Sequence, residues 1–372
     1  MADSQFTARP SAAGMWVRCG GYVSMSTRYP ELPGDNEVRE EGIGAHWLAY
    51  ETGNGRPQPN GVLTPNGVEI DDEMQSAVRE YLAVLRGWGV QVYLEHTVAI
   101  PSIHPQCGGT IDAWGWDPIN RILYVGDLKY GYNPVDPFEN WQLLCYVRGA
   151  LDFLQALHGQ FTEHFKVRMY IVQPRGYGHD VVKVWRTTSD NLYGYMHTLK
   201  QAAKVAIEGN GELTAGDHCY YCSARNNCPA LQKAALQLID VSTDQHSLEL
   251  TNDQAAAELR RIDRAIKVLE SRQSGLESQL EHAIGEGYVH PNFERSGGKG
   301  KLDWREGVHA QVAALASLLG KEVKKPIALI TPTQAKGLLS DELLANYTQH
   351  KPGKLKLRRL ADNHADKMFN QE

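Results

Sequence analysis

Apolar and polar residues recur along this chain with two periods, and the switches between them mark its elements. Between Asp71 and Gly87 the apolar positions Met74, Val78, Tyr81, Leu82 and Leu85 fall at three- and four-residue steps, which predicts a helix with one face in a core. Val90 to Ile100 alternates residue by residue and predicts a strand carrying Glu95. Gly109 to Tyr146 reads as a strand with Asp112, a turn at Asp117 to Asn120, a second strand ending in Asp127-Leu128-Lys129, and a helix with Gln142 and Tyr146. Phe165 to Gln173 and Val181 to Arg186 read as a strand pair, and residues 189 to 208 as a helix. Upstream, residues 14 to 26 form a short helical segment around Cys19, and Glu37 to Gly53 a helix containing His46. Helices before, between and after paired strands predict an α/β fold, a mixed sheet flanked by helices.

The acidic hairpin is the candidate chemical centre. Successive strand side chains point to opposite faces, so Asp127 and Lys129 share one face while Leu128 enters the core on the other. With Asp112 facing the same way on the neighbouring strand, two carboxylates and an ammonium converge, which suits a hydrolase that holds Mg²⁺ or Mn²⁺ and positions a water. An isolated Asp-x-Lys is ordinarily a solvated ion pair. Here Gly109-x-x-Asp112 precedes it by one hairpin, and Gln142 and Tyr146 follow at i, i+4, on one helix face.

Four motifs in order, Gly42-x-x-x-His46, Gly109-x-x-Asp112, Asp127-Leu128-Lys129 and Gln142-x-x-x-Tyr146, resemble those of the PD-(D/E)xK nucleases, specifically the RecB-type branch. The resemblance covers roughly residues 10 to 230 and implies a restriction-endonuclease-like core. It implies catalytic roles for Asp112, Asp127, Lys129, Gln142 and Tyr146. Metal binding would fall to His46, Asp112, Asp127 and the backbone carbonyl of Leu128. Glu95 is read as a structural residue or a support for those ligands.

Three of the six cysteines lie in Cys219-x2-Cys222-x5-Cys228, followed by Pro229. Such spacing lets several thiolates reach one metal, zinc or an iron–sulfur cluster, with His218 adjacent as a further zinc ligand. RecB-type nucleases with a cluster, AddB-like and CRISPR-associated ones among them, resemble this arrangement. The resemblance implies a [4Fe–4S] cluster on Cys19, Cys219, Cys222 and Cys228 that acts as a structural staple. Cys107 and Cys145 are read as small buried hydrophobes.

Beyond about Gln232 the organisation changes, so the expected domains are 1–232, a nuclease domain with the cysteine cluster, and 233–372, a mainly helical extension. A long helix from Thr251 to about Ile284 carries Leu259, Ile262, Ile266, Leu269 and Leu276 as a coiled-coil-like seam, able to dock a partner or a second copy. Gly287 to Asp303 suggests a hairpin with a glycine-rich tip, Val308 to Leu319 and Thr331 to Tyr347 two helices, and Lys351 to Leu360 a basic patch for phosphates. This part resembles extensions carried by phage-encoded RecB-type nucleases. Net charge is −6, which argues against indiscriminate nucleic-acid binding and leaves local patches. Nothing resembles a signal peptide and no apolar run approaches the roughly 20 residues of a membrane span, so the expected place is the cytoplasm, the host's for a phage protein.

The resulting expectation is a metal-dependent DNA nuclease, an exonuclease acting on single-stranded or duplex DNA ends in phage recombination or replication. The alternatives are a DNA-binding recombination-partner protein with a vestigial nuclease fold and a zinc-stabilised RNA-processing nuclease.

Overall fold

The computed structural model describes residues 6–32, 37–159, 164–175, 180–209, 211–241, 252–297, 302–305, 307–321, 332–335, 338–350 and 355–359. The chain forms two compact units, Met1–Leu276 and Glu277–Glu372. In the first, α1 (Ala13–Trp16), α2 (Tyr22–Arg28), α3 (Glu37–Gly53) and α4 (Asp72–Arg86) precede β1 (Val92–Ala99), β2 (Gly108–Asp117) and β3 (Ile122–Leu128). Then come α5 (Trp141–His158), β4 (Lys166–Val172), β5 (Val182–Thr188), α6 (Tyr193–Glu208), α7 (Pro229–Val241) and α8 (Asn252–Gly285), which runs on into the second unit.

The five strands form one sheet in the order β1-β2-β3-β4-β5, antiparallel except for the parallel β3–β4 pair. That parallel step needs a crossover, and α5 supplies it. Every residue of β3 is buried, because both sheet faces are covered. On one face Leu123 and Val125 pack with Leu143, Leu144 and Val147 of α5. On the other, Ile122, Tyr124 and Leu128 pack with Leu48 of α3 and with Met74, Tyr81, Leu82 and Leu85 of α4. The mixed sheet flanked by helices and the apolar stripe of α4 are as the periodicities predicted.

Local chemistry fixes the ends of these elements. The Asp71 carboxylate caps α4 by accepting the Met74 N–H at 2.7 Å. Asn140 caps α5, its Oδ1 accepting the N–H groups of Gln142 (3.1 Å) and Leu143 (3.2 Å), and so sets where the first turn of that helix points. At the β2–β3 turn, Asp117 accepts the N–H groups of Ile119 and Asn120 at 3.0 and 2.9 Å.

The N-terminal segment is held against the chain that follows α6. A Cβ on Gly211 would lie 2.3 Å from the carbonyl carbon of Gly20, so the two backbones meet where neither can carry a side chain. In α8 the packing face is Val268, Ser271 and Gly275, which lies on the Arg225–Asn226 backbone. Leu259, Ile262, Ile266, Leu269 and Leu276, the expected seam, are exposed.

The second unit contains β6 (Phe293–Gly297), β7 (Leu302–Trp304), α9 (His309–Leu318), α10 (Pro332–Ala335), α11 (Asp341–Tyr347), β8 (Thr348–His350) and β9 (Leu355–Arg359). Its small core is built on Trp304, Val312, Ala316, Leu339 and Leu344. The strands on either side of the glycine-rich stretch do not pair as the expected hairpin. β6 pairs with β9 and β7 with β8, both antiparallel. The expected helix from Thr331 to Tyr347 is two short ones, the second starting afresh where Ser340 caps the Leu343 N–H. The glycine tip from Gly298 to Lys301 and the ends of the basic patch, Lys351–Lys354 and Leu360, lie outside the described residues.

Candidate active site

In β3, buried on both faces, a carboxylate is out of place unless something compensates it. Asp127 is 1% exposed and lies on the α5 side. Lys129 Nζ stands 2.8 Å from its Oδ2 and 3.1 Å from its Oδ1. Gln142, in the first turn of α5, donates from Nε2 to Asp127 Oδ1 (2.9 Å) and to the Tyr146 hydroxyl (3.0 Å), and its Oε1 accepts from Lys129 Nζ (3.1 Å). Both N–H groups of the amide are thereby engaged, and its oxygen holds Lys129 in place. Lys129 has three N–H donors, of which two are engaged. Asp127 Oδ2 receives charge from Lys129 but no hydrogen bond of good geometry.

Beside this network lies a second one. Asp112 is buried, and its Oδ2 accepts the Leu128 N–H at 2.8 Å. His46, from α3, contacts the Leu128 carbonyl through Nε2 (3.0 Å) and Glu95 Oε1 through Nδ1 (3.0 Å), with Asp112 Oδ2 at 3.7 Å from Nδ1. Both ring nitrogens face oxygens that accept, so the ring carries two protons and a positive charge in this arrangement. Burial pulls the imidazole pKa down, but the charge of Asp112 and the hydrogen bond and charge of Glu95 outweigh it, raising it to about 9. Burial likewise pushes the Asp112 carboxyl up to about 8 against the pull of His46, with Asp127 adding to the rise. Lys129 is also raised: burial lowers it, and Asp127 and Asp112 more than restore it.

Among the described residues, His46, Glu95 and Asp112 are the only group of three or more Cys, His, Asp or Glu whose ligand atoms lie within 4.8 Å of one another. The fit to a divalent cation rests on charge and on an unsatisfied atom. Three carboxylates, Glu95, Asp112 and Asp127, crowd one end of the sheet, and the buried Asp127 Oδ2 has the Lys129 ammonium beside it at 2.8 Å but no hydrogen bond of good geometry. An oxygen-rich set with one imidazole suits Mg²⁺ or Mn²⁺.

The structure therefore brings His46, Asp112, Asp127, Lys129, Gln142, Tyr146 and the Leu128 carbonyl together at one end of the sheet. Glu95 stands closer to the centre than its sequence suggested. Its backbone is in the left-handed region (φ 45°), an uncommon conformation for a non-glycine residue, and it aims the carboxylate at His46. Arg175 escaped the sequence reading altogether. It is buried, pairs with Glu41 of α3 and with Glu73 of α4 (3.3 Å), and lies 3.7 Å over the Tyr130 ring, bracing the helix that carries His46.

The cysteines form a separate centre. Cys19, Cys219, Cys222 and Cys228 line one cavity with Tyr22, Met25 and Leu231. Burial raises the Cys219 thiol to about 11, the Gly216 N–H opposes this, and Cys222, Cys228 and Cys19 add to the rise. His218 gives Nε2 to the Thr214 carbonyl at 3.0 Å. Cys107 and Cys145 are fully buried in the α5-side core.

Residues 7–365 match the model of a family described as "Protein of unknown function (DUF2800)". The chain belongs to this family. No curated protein matches it. It is similar to a crystal structure described as that of a "Putative exonuclease" from Eubacterium rectale, with 8% identity over 67% of this chain and 92% of that one, at a TM-score of 0.35. It is also similar to an alkaline exonuclease from Laribacter hongkongensis, with 13% identity over 53% of this chain and 94% of that one, at a TM-score of 0.23. Likenesses this weak carry no inference about chemistry. No helix among the described residues is long and apolar enough to cross a membrane.

Proposed function

We propose that this protein is a metal-dependent deoxyribonuclease, an exonuclease acting on DNA ends. The observation that carries the reading is the meeting, at one sheet end, of the His46–Glu95–Asp112 group with the Asp127–Lys129–Gln142 network. The four ordered motifs support the substrate class by resemblance, and the same resemblance supports a place in phage recombination or replication, beside a recombination partner.

His46, Glu95, Asp112 and Asp127, with the Leu128 carbonyl, would hold one or two divalent cations. A cation so held supplies positive charge beside the scissile phosphate and acidifies water. Asp112 and Asp127 orient a water for in-line attack on phosphorus. Lys129, kept in place by Asp127 and Gln142, directs its remaining N–H at a phosphate oxygen as charge builds there. Tyr146 and Gln142 hold that lysine's rotamer, and Arg175 holds α3.

DNA labelled at the 5′ or 3′ end, single- and double-stranded, should be shortened from an end with Mg²⁺ or Mn²⁺ and left intact with EDTA. Cleavage that persists in EDTA, or none on any nucleic acid, would remove the reading.

The cysteine centre is proposed to hold a [4Fe–4S] cluster that staples the N-terminal segment to residues 211–231. The four cysteines line one cavity, and the resemblance to cluster-bearing RecB-type nucleases supports the cluster over tetrahedral zinc. Coordination would displace the thiol protons that burial favours on Cys219 and Cys222. Anaerobically purified protein should be brown, absorb near about 400 nm and contain iron. Colourless protein with stoichiometric zinc would reverse the assignment.

A further inference from the structure

Among the described residues of the first unit, six aromatic side chains are exposed: Tyr50, Tyr132, Phe138, Tyr193, Tyr220 and Tyr221. Four of them, Tyr132, Phe138, Tyr220 and Tyr221, lie on two stretches that touch. One is the loop from Tyr130 to Asn140, between Lys129 and the helix that carries Gln142. The other is the pair between Cys219 and Cys222. Asn133 Nδ2 lies 3.5 Å from the Tyr221 hydroxyl, and the Tyr220 and Tyr221 rings meet edge to face at 5.0 Å.

This loop is fixed from beneath. Gln173, 3% exposed at the end of β4, donates from Nε2 to the carbonyls of Gly131 (2.8 Å) and Asn133 (2.7 Å) and accepts the Val135 N–H at 3.0 Å. Lys183 Nζ donates to the Val135 carbonyl at 3.0 Å and brings a cation to the same loop. Arg175 lies 5.2 Å over the Tyr132 ring. A buried amide making three hydrogen bonds is used here to hold a loop whose large aromatic groups remain in water. Aromatic faces set in place beside cations are what sequence-tolerant binding of unpaired bases requires.

The spacing to the chemical centre fits. Asn133 is four residues beyond Lys129, so at most about 14 Å of chain separates them. At about 3.4 Å per stacked nucleotide, this equals roughly four nucleotides.

We propose that Tyr132, Tyr220 and Tyr221 form a stacking platform for the unpaired bases of a single DNA strand whose scissile phosphate lies at Lys129. This rests on the nuclease reading and adds to it that the strand is single within about four nucleotides of the cut.

The test uses full-length protein in Ca²⁺ with oligodeoxythymidylate carrying one 2-aminopurine, moved base by base from the end. Stacking quenches the probe, and quenching is expected within the first several positions. Tyr221→Phe should retain it. Tyr220→Ala with Tyr221→Ala should abolish it and weaken single-strand binding by roughly 5- to 100-fold, with duplex binding unchanged. Tyr132→Leu, outside the cysteine segment, should give the same loss without altering iron content. Unchanged single-strand binding in these variants, or an equal loss with duplex, would overturn the platform. Wild-type cleavage alongside such a result leaves the nuclease reading standing, whereas absence of any cleavage by wild type removes that reading instead.

Discussion

Lys129→Met is expected to slow DNA cleavage by about 10²- to 10³-fold, the usual cost of removing one donor aimed at developing charge. The loss should fall on kcat, with KM little changed, because Lys129 is already paired with Asp127 and Gln142 before substrate arrives and gains a new partner only as the phosphate becomes more negative. The variant also leaves Asp127 buried with Gln142 Nε2 as its remaining hydrogen-bond donor, so the metal-free protein should lose stability, on the order of 3 kcal/mol. Added Mn²⁺ should return much of that stability without returning activity. Single-turnover cleavage and thermal unfolding with and without Mn²⁺ measure the two effects separately. Lys129→Met protein that cleaves at the wild-type rate would remove Lys129 from the chemistry.

In EDTA, the unfolding midpoint should fall as the pH is raised from 6.5 to 9, and Mn²⁺ should protect more at pH 9 than at pH 6.5. His46 and Asp112 both bind their protons more tightly in the folded protein than in the unfolded chain, where the imidazole titrates near 6.5 and the carboxyl near 3.8. The stabilisation from His46 is therefore complete below pH 6.5 and lost as pH rises through about 9. That from Asp112 is lost in the same direction, from about pH 4 upward through about 8. The His46 side chain is 29% exposed, which moderates the effect to on the order of 2 kcal/mol, or roughly 4–8 °C. A divalent cation competes with these same protons, so its affinity climbs over the interval in which the metal-free protein weakens. A midpoint in EDTA that is flat or rises with pH would contradict the two-proton arrangement around His46.

The parts of this molecule written in local pattern were legible before folding. The α4 stripe needed only the helical period, and Asp127 stood out as a carboxylate ending a strand otherwise made of buried residues. Gln142 and Tyr146 declared a shared helix face by their spacing. Glu95 did not stand out, because a glutamate in an alternating strand normally faces water; its turn toward His46 depends on a backbone conformation that residue type does not encode. Arg175 pairs with Glu41 and Glu73, each more than a hundred residues earlier, and local spacing gives no sign of such partners. In the second unit, glycine-rich turn chemistry suggested a hairpin, but pairing of β6 with the distant β9 prevailed.

The clasp between Gly20 and Gly211 has a consequence for biosynthesis. The first of its two glycines leaves the ribosome about 190 residues before the second, and Cys228 emerges later still. At translation speeds of about 5–20 residues per second, the segment around Cys19 must wait on the order of ten to forty seconds for its counterpart. Throughout that interval Trp16 and Val23, both destined for the core, have to be kept from other apolar surfaces in the cell.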